Sequence, residues 1–191
     1  MAQAKSRYVA LLRAVNVGGH TVVKMAPLRA LFESCGLTDV ASYIQSGNIL
    51  FTAKEADPER LARRLEKKIA SAFGSATAVF VLSPAQLKAA SAHNPFDPAR
   101  LDNEQLCHLM FLSRKPDPAH RAALMARRGS EYRFHISGKV LYYAYPRSAA
   151  GRRRTIDFEG VLGVTGTARS WKVVHKLIEL TASAGHRETT T

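Results

Sequence analysis

The residues best typed and spaced for chemistry lie in two glycine-bearing loops near the start of the chain. In the first, Arg13 and Asn16 precede Gly18-Gly19, and Lys24 follows. Consecutive glycines let successive backbone N–H groups turn toward one point, which is one way a chain holds phosphate or carboxylate. In the second, Gln45-Ser46-Gly47-Asn48, a hydroxyl and an amide flank a residue that takes positive φ at no steric cost. Neither loop completes a catalytic motif. There is no Gly-x-Gly-x-x-Gly, and Lys24 lacks the preceding glycine of a P-loop. Ser46 stands outside the Gly-x-Ser-x-Gly frame, and its turn joins two strands rather than a strand and a helix. The chemistry these types allow is recognition of a small anion by Arg13, Asn16, Gly18, Gly19, Lys24, Gln45, Ser46, Gly47 and Asn48. A structural reading stands beside it: Gly18 and Gly19 supply a bend, Asn16 and Asn48 satisfy backbone groups, and no ligand is involved.

Other candidates for chemistry are weaker. The histidines at 20, 93, 108, 120, 135, 175 and 186 form no His-x-His or His-x-x-x-His pair. Cys107 and His108 are neighbours in a strand and so point to opposite faces, which argues against a metal site. Cys35 and Cys107 have no Cys-x-x-Cys partner and read as small buried hydrophobes. The sequence assigns no catalytic residue, calls for no cofactor, and leaves open whether the protein is an enzyme.

Twenty-eight Lys and Arg against fifteen Asp and Glu give a formal charge of +13, which raises a polyanion as a partner. The excess is spread over both halves. Its one dense run is Arg152-Arg153-Arg154, to which Arg147 adds, and charge runs in loops are commonly just solvated. No apolar stretch reaches the length of a bilayer span or a signal-peptide core, so a cytoplasmic protein without membrane partners is expected.

These loops need elements to hold them. Residues 8–13 are apolar on both faces, the pattern of a central strand covered on both sides. Met25, Leu28, Leu31, Phe32 and Cys35 recur at helical spacing, and residues 40–44 and 49–53 flank the Ser46-Gly47 turn as a hairpin. Asp57-Pro58 starts a helix with Leu61, Leu65 and Ile69 on its buried stripe, and residues 77–82 read as a strand. The order β-α-β-β-α-β is the split unit of a ferredoxin-like fold, and strand one should lie antiparallel to strand three. That pairing would bring the glycine loop and the Ser-Gly-Asn turn to one edge. Ser83-Pro84 opens another helix, and a domain boundary is expected there, giving domains 1–83 and 84–191. The second half reads α-β-α-β-β-α, with strands at 105–113, 131–136 and 139–145, a helix begun at Asp117-Pro118, and a last helix capped by Thr167 or Ser170 with Trp171 in the core. The expected class is therefore α+β, two ferredoxin-like domains with antiparallel sheets. The faces of those sheets away from their helices must be covered, by the two domains packing together or by a homodimer. The strand at 48–52 offers one aromatic, which argues against base stacking on the first sheet.

Residues 11–19 (LLRAVNVGG), Met25-Ala26-Pro27-Leu28, residues 43–48 (YIQSGN) and Phe51 together resemble the opening of the DUF1697 family of bacterial proteins. The likeness continues at Ser83-Pro84, Asn94-Pro95-Phe96, residues 168–171 (ARSW) and Lys176-Leu177. The resemblance implies two ferredoxin-like α+β domains and no established activity. His20 and Thr21 stand where the family often has Lys, Gly or Asn, and Ser170 and Lys172 where Asn is commoner, so no fixed Lys after the glycines is carried over. Three readings of function remain: a module for a small anionic ligand, a nucleic-acid-associated basic protein, and a structural or interaction module.

Overall fold

The computed structural model describes residues 5–15, 23–96, 105–127, 131–149 and 156–183. The chain divides into two compact units, residues 1–89 with 176–191, and residues 90–175.

The first unit is built from β1 (Ser6–Leu12), α1 (Met25–Ser34), β2 (Thr38–Tyr43), β3 (Asn48–Ala53), α2 (Pro58–Phe73) and β4 (Val79–Leu82), followed by α3 (Pro84–Ala92). The strands form one antiparallel sheet in the order β2-β3-β1-β4. β1 is central, as its apolar faces require. Tyr8, Ala10 and Leu12 pack with Ile49, Phe51, Val79 and Val81 against Leu28 and Phe32 of α1 and Leu61, Leu65 and Ile69 of α2. Each leucine, isoleucine, valine or phenylalanine among them, removed from water, contributes about 1.5–3 kcal/mol. The alternate residues Val9, Leu11 and Leu50 are buried too. The helix ends follow local chemistry. Asp57 accepts hydrogen bonds from the backbone N–H of Glu59 (2.9 Å) and Arg60 (3.3 Å), and Gly74 closes α2 at φ 67°. Ser83 and Gln86 cap α3 reciprocally: the Ser83 hydroxyl accepts from Gln86 N–H (3.2 Å) and Gln86 Oε1 from Ser83 N–H (2.8 Å). Cys35 is the C-cap of α1, half-buried and packed against this same core.

The second unit holds β5 (Gln105–Leu112), α4 (Pro118–Met125), β6 (Arg133–Ser137), β7 (Val140–Pro146), a 3-10 turn (Arg147–Ala149), α5 (Phe158–Leu162) and β8 (Gly166–Ser170). Its antiparallel sheet has the order β6-β7-β5-β8, the topology of the first sheet repeated. α6 (Trp171–Ser183) follows directly. The expected α-β-α-β-β-α lacked α5 and β8, which complete the split unit. α5 is a single turn and a half, and residues 166–170 (GTARS) carry one β-branched side chain, so neither has a periodicity to read. Ser170 does cap α6, accepting from Val173 N–H at 3.4 Å. Thr167 lies inside β8. Trp171 is half-buried rather than a core residue, its ring 5.3 Å from that of His175. At α4, Asp117 stands at the N-cap but its side chain makes no cap bond; its carboxylate lies 3.6 Å from Arg114 and 3.7 Å from His120.

Candidate functional site

The antiparallel register of β1 on β3 sets Leu11 opposite Asn48, so the end of β1 lies at the start of β3. Beyond the last paired residues, Leu12 N–H donates to the Gly47 carbonyl at 2.8 Å. A Cβ on Gly47 would come 2.9 Å from Leu12 Cβ and 3.4 Å from Val15 Cβ. The turn is therefore laid against the chain leaving β1, and Gly47, at φ 70°, is needed there both for its torsion and for its lack of a side chain. Asn48 is fully buried. Its Nδ2 donates to the Tyr43 carbonyl and to the Ser46 hydroxyl, both at 3.0 Å, closing the turn from within. Ala14 (φ 53°) and Ile44 (φ 50°) hold left-handed backbone on either side of this junction, and Ile44 is 49% exposed. Arg13 is exposed beside it, its N–H donating to the Ala78 carbonyl at 2.9 Å. Lys24 is exposed at the N-cap of α1, and Gln45 is exposed in the turn. Asn16, Gly18 and Gly19 lie outside the described residues, as does His20.

In the second unit, Arg147 is exposed in the 3-10 turn that follows β7; Arg152, Arg153 and Arg154 lie outside the described residues. One face of this sheet carries an array of rings that the sequence reading did not collect. Phe134 is opposite Tyr143, and Tyr143 is opposite His108. Tyr132 and Tyr145 sit one step further along, 5.0 Å apart, and Phe158 at the start of α5 lies 4.7 Å from Tyr143. The signal was present as aromatics two apart in both arms of one hairpin, residues 132 and 134, then 143 and 145, which a strand places on one face.

The family model for DUF1697, a protein family of unknown function, matches residues 5–142. The chain belongs to this family. Among solved structures, the DUF1697 chain is similar to that of the conserved bacterial protein SP0830 from Streptococcus pneumoniae. The TM-score is 0.73 with 24% identity, over 93% of this chain and 99% of that one, a likeness that shows a shared fold. No curated protein matches.

Burial in this DUF1697 protein sets the ionisation of several groups in the second unit. His108 is driven down to about 4 by desolvation, so its imidazole is neutral near pH 7, and its buried Nδ1 has no hydrogen-bond partner. Tyr143 is raised by burial and by its neighbours Tyr145, Tyr132 and Cys107. Arg169, buried on β8 opposite Leu109, is lowered to about 10 by desolvation; its Nη1 donates to the Thr167 hydroxyl (2.8 Å) and the Ala168 carbonyl (2.7 Å). Cys107 is buried, with Asn94 Nδ2 donating to its sulfur at 3.5 Å, and its thiol is raised by burial, which makes it a poor nucleophile. Among the described residues no group of three or more His, Cys, Asp and Glu is placed to hold a metal ion, and no helix is long and apolar enough to cross a membrane.

Proposed function

We propose that this DUF1697 protein binds a small anion, phosphate or carboxylate, at the loop junction of its first unit, in the cytoplasm. The observation that carries the reading is the bond from Leu12 N–H to the Gly47 carbonyl. It fixes the exposed Arg13 next to the Ser46-Gly47 turn at the edge where the chain enters its glycine-rich stretch. Arg13 supplies charge, the Ser46 hydroxyl and neighbouring backbone N–H groups supply directional donors, and Lys24 adds a second cation within the same connection. The amide of Asn48 is engaged inside the turn, so its part is to shape the loop rather than to meet the ligand through Nδ2. The reading assigns binding and no chemical step.

Inorganic phosphate titrated into the protein at constant ionic strength tests this. At a hundredfold excess over Kd, binding adds about 2.7 kcal/mol, a rise in Tm of roughly 5–10 °C for a chain of this size. Arg13→Gln should remove most of that rise while leaving the Tm without phosphate nearly unchanged. An equal rise with chloride, or an undiminished rise in Arg13→Gln, overturns the proposal. Gly19→Ala combined with Ser46→Ala separates the structural account, in which stability falls and the response to phosphate does not change.

A further inference from the structure

The helix α2 has two unlike sides. Leu61, Leu65 and Ile69 are buried in the core of the first unit, whereas Arg60, Arg63, Arg64, Lys67 and Lys68 are all exposed. In the sequence Leu65 and Glu66 interrupt these cations, so they form no dense run. At 3.6 residues per turn the helix gathers them into roughly 140° of arc turned away from the buried stripe. The acids of α2 fall outside that arc: Glu59 is in the first turn, and Glu66 accepts from Val79 N–H at 2.9 Å. Arg60 lies 3.3 Å from Glu55, and Arg64 donates to the Cys35 carbonyl at 3.1 Å. Among the described residues Arg63, Lys67 and Lys68 form no ion pair.

This charge works against the helix itself. Like charges three and four residues apart destabilise a helix, and the dipole favours cations in the last turn, where α2 carries none. A helix that only covered the core would have no use for such a face; it suits a partner of opposite charge. The exposed residues of α2 include no aromatic or large aliphatic side chain. Protein interfaces are built round an apolar centre, a helix lying on a bilayer inserts an apolar face, and single strands are held by stacked rings. With none of these on offer, the contact is made to phosphates alone. Residues 60–68 span about 12 Å of helix axis, which faces about three or four phosphates along one strand of a duplex. The wide major groove of B-form DNA admits a helix, and the deep, narrow one of A-form RNA does not.

We propose that the basic face of α2, centred on Arg63, Lys67 and Lys68, docks on the phosphate backbone of double-stranded DNA without reading its sequence. This surface is separate from the loop junction, and neither depends on the other.

The test measures binding of the full chain to a fluorescein-labelled DNA duplex by anisotropy at several salt concentrations. Between 50 and 200 mM salt the affinity should fall by about 40–150-fold, as release of counterions from three or four phosphates predicts. Arg63→Gln, Lys67→Gln and Lys68→Gln combined should weaken binding at 50 mM salt by roughly tenfold or more and flatten the salt dependence, by about one unit of slope per cation removed. The control combines Lys88→Gln, Lys115→Gln and Arg127→Gln, three exposed cations outside α2, and should bind as the wild type does. No binding of the duplex, or equal weakening by the control, which would make the attraction one of net charge alone, overturns the proposal. So does equal binding of duplex RNA or of a single DNA strand of the same length, or binding of phosphatidylserine vesicles in place of the duplex. Should the α2 variant fail to fold, acetylation of the wild-type protein decides it: protection of Lys67 and Lys68 by the duplex, with Lys88 and Lys115 unprotected, supports the surface, and unprotected Lys67 and Lys68 refute it.

Discussion

Replacing Gly47 with alanine probes the junction on which the first unit's loops depend. Two costs are separable. Gly47 adopts φ 70°, and a non-glycine residue in left-handed backbone costs about 1–2 kcal/mol, offset by about 0.4–1 kcal/mol from the less flexible unfolded chain. The new methyl would also stand 2.9 Å from Leu12 Cβ. Leu12 is fully buried in the central strand, so relief must come from the backbone, and overpacking of that kind costs about 1–3 kcal/mol more. Gly36 isolates the first cost, because it has φ 76° and nothing within 4 Å of the position a Cβ would take. Urea unfolding of Gly36→Ala and Gly47→Ala should therefore give stabilities that differ by about 1–3 kcal/mol, with Gly47→Ala the weaker. If the two variants lose the same amount, the turn is not held against β1 as described, and the anion-site reading loses its frame.

Asn48→Ala removes the two donations that close the turn, one to the part-buried Tyr43 carbonyl, and should cost about 1–3 kcal/mol in the same assay; a loss below half a kcal/mol would show that the turn closes without it. Asp57→Ala removes the cap of α2 and should cost about 1 kcal/mol, with the loss seen as lower helicity on heating. For His108, whose folded-state value of about 4 lies below the ordinary 6.5, the unfolded chain binds a proton that the folded one refuses. Stability should thus fall as pH drops from about 6.5 toward 4, by up to about 3 kcal/mol for the whole shift. His108→Phe should flatten that part of the profile between pH 7 and 4.5, and an unchanged slope would refute the assignment.

Much of the first unit was legible from Tyr8 to Leu82 because each element there carries its own signal. β1 is apolar on two faces, α2 has a cap, a stripe and a terminal glycine, and the hairpin has a turn residue flanked by β-branched arms. The meeting of the end of β1 with the Ser46-Gly47 turn followed from topology alone, since strands one and three of this unit must be antiparallel neighbours. What the sequence could not supply was the closeness of the approach, for nothing in Gln45-Ser46-Gly47-Asn48 announces that Leu12 Cβ fills the space beside Gly47. In the second unit α5 is too short to show a period, and β8 draws its strand character from pairing with β5 rather than from its own composition. Trp171 looked like a core residue by helical spacing, but as the first residue of α6 it has no preceding turn to cover it, and it packs on His175.

The division of the chain into units has a bearing on how the protein is made. The first unit takes in residues 1–89 and also 176–191, while residues 90–175 form the second without help from either end. Leu177, fully buried, belongs to the part that arrives last. A chain emerging from the ribosome delivers its domains in order and usually folds them in that order. Here the unit that begins first is the one finished last, because the C-terminal segment must be synthesised before its contacts exist. A released chain truncated before residue 176 would carry a complete second unit and an unfinished first one.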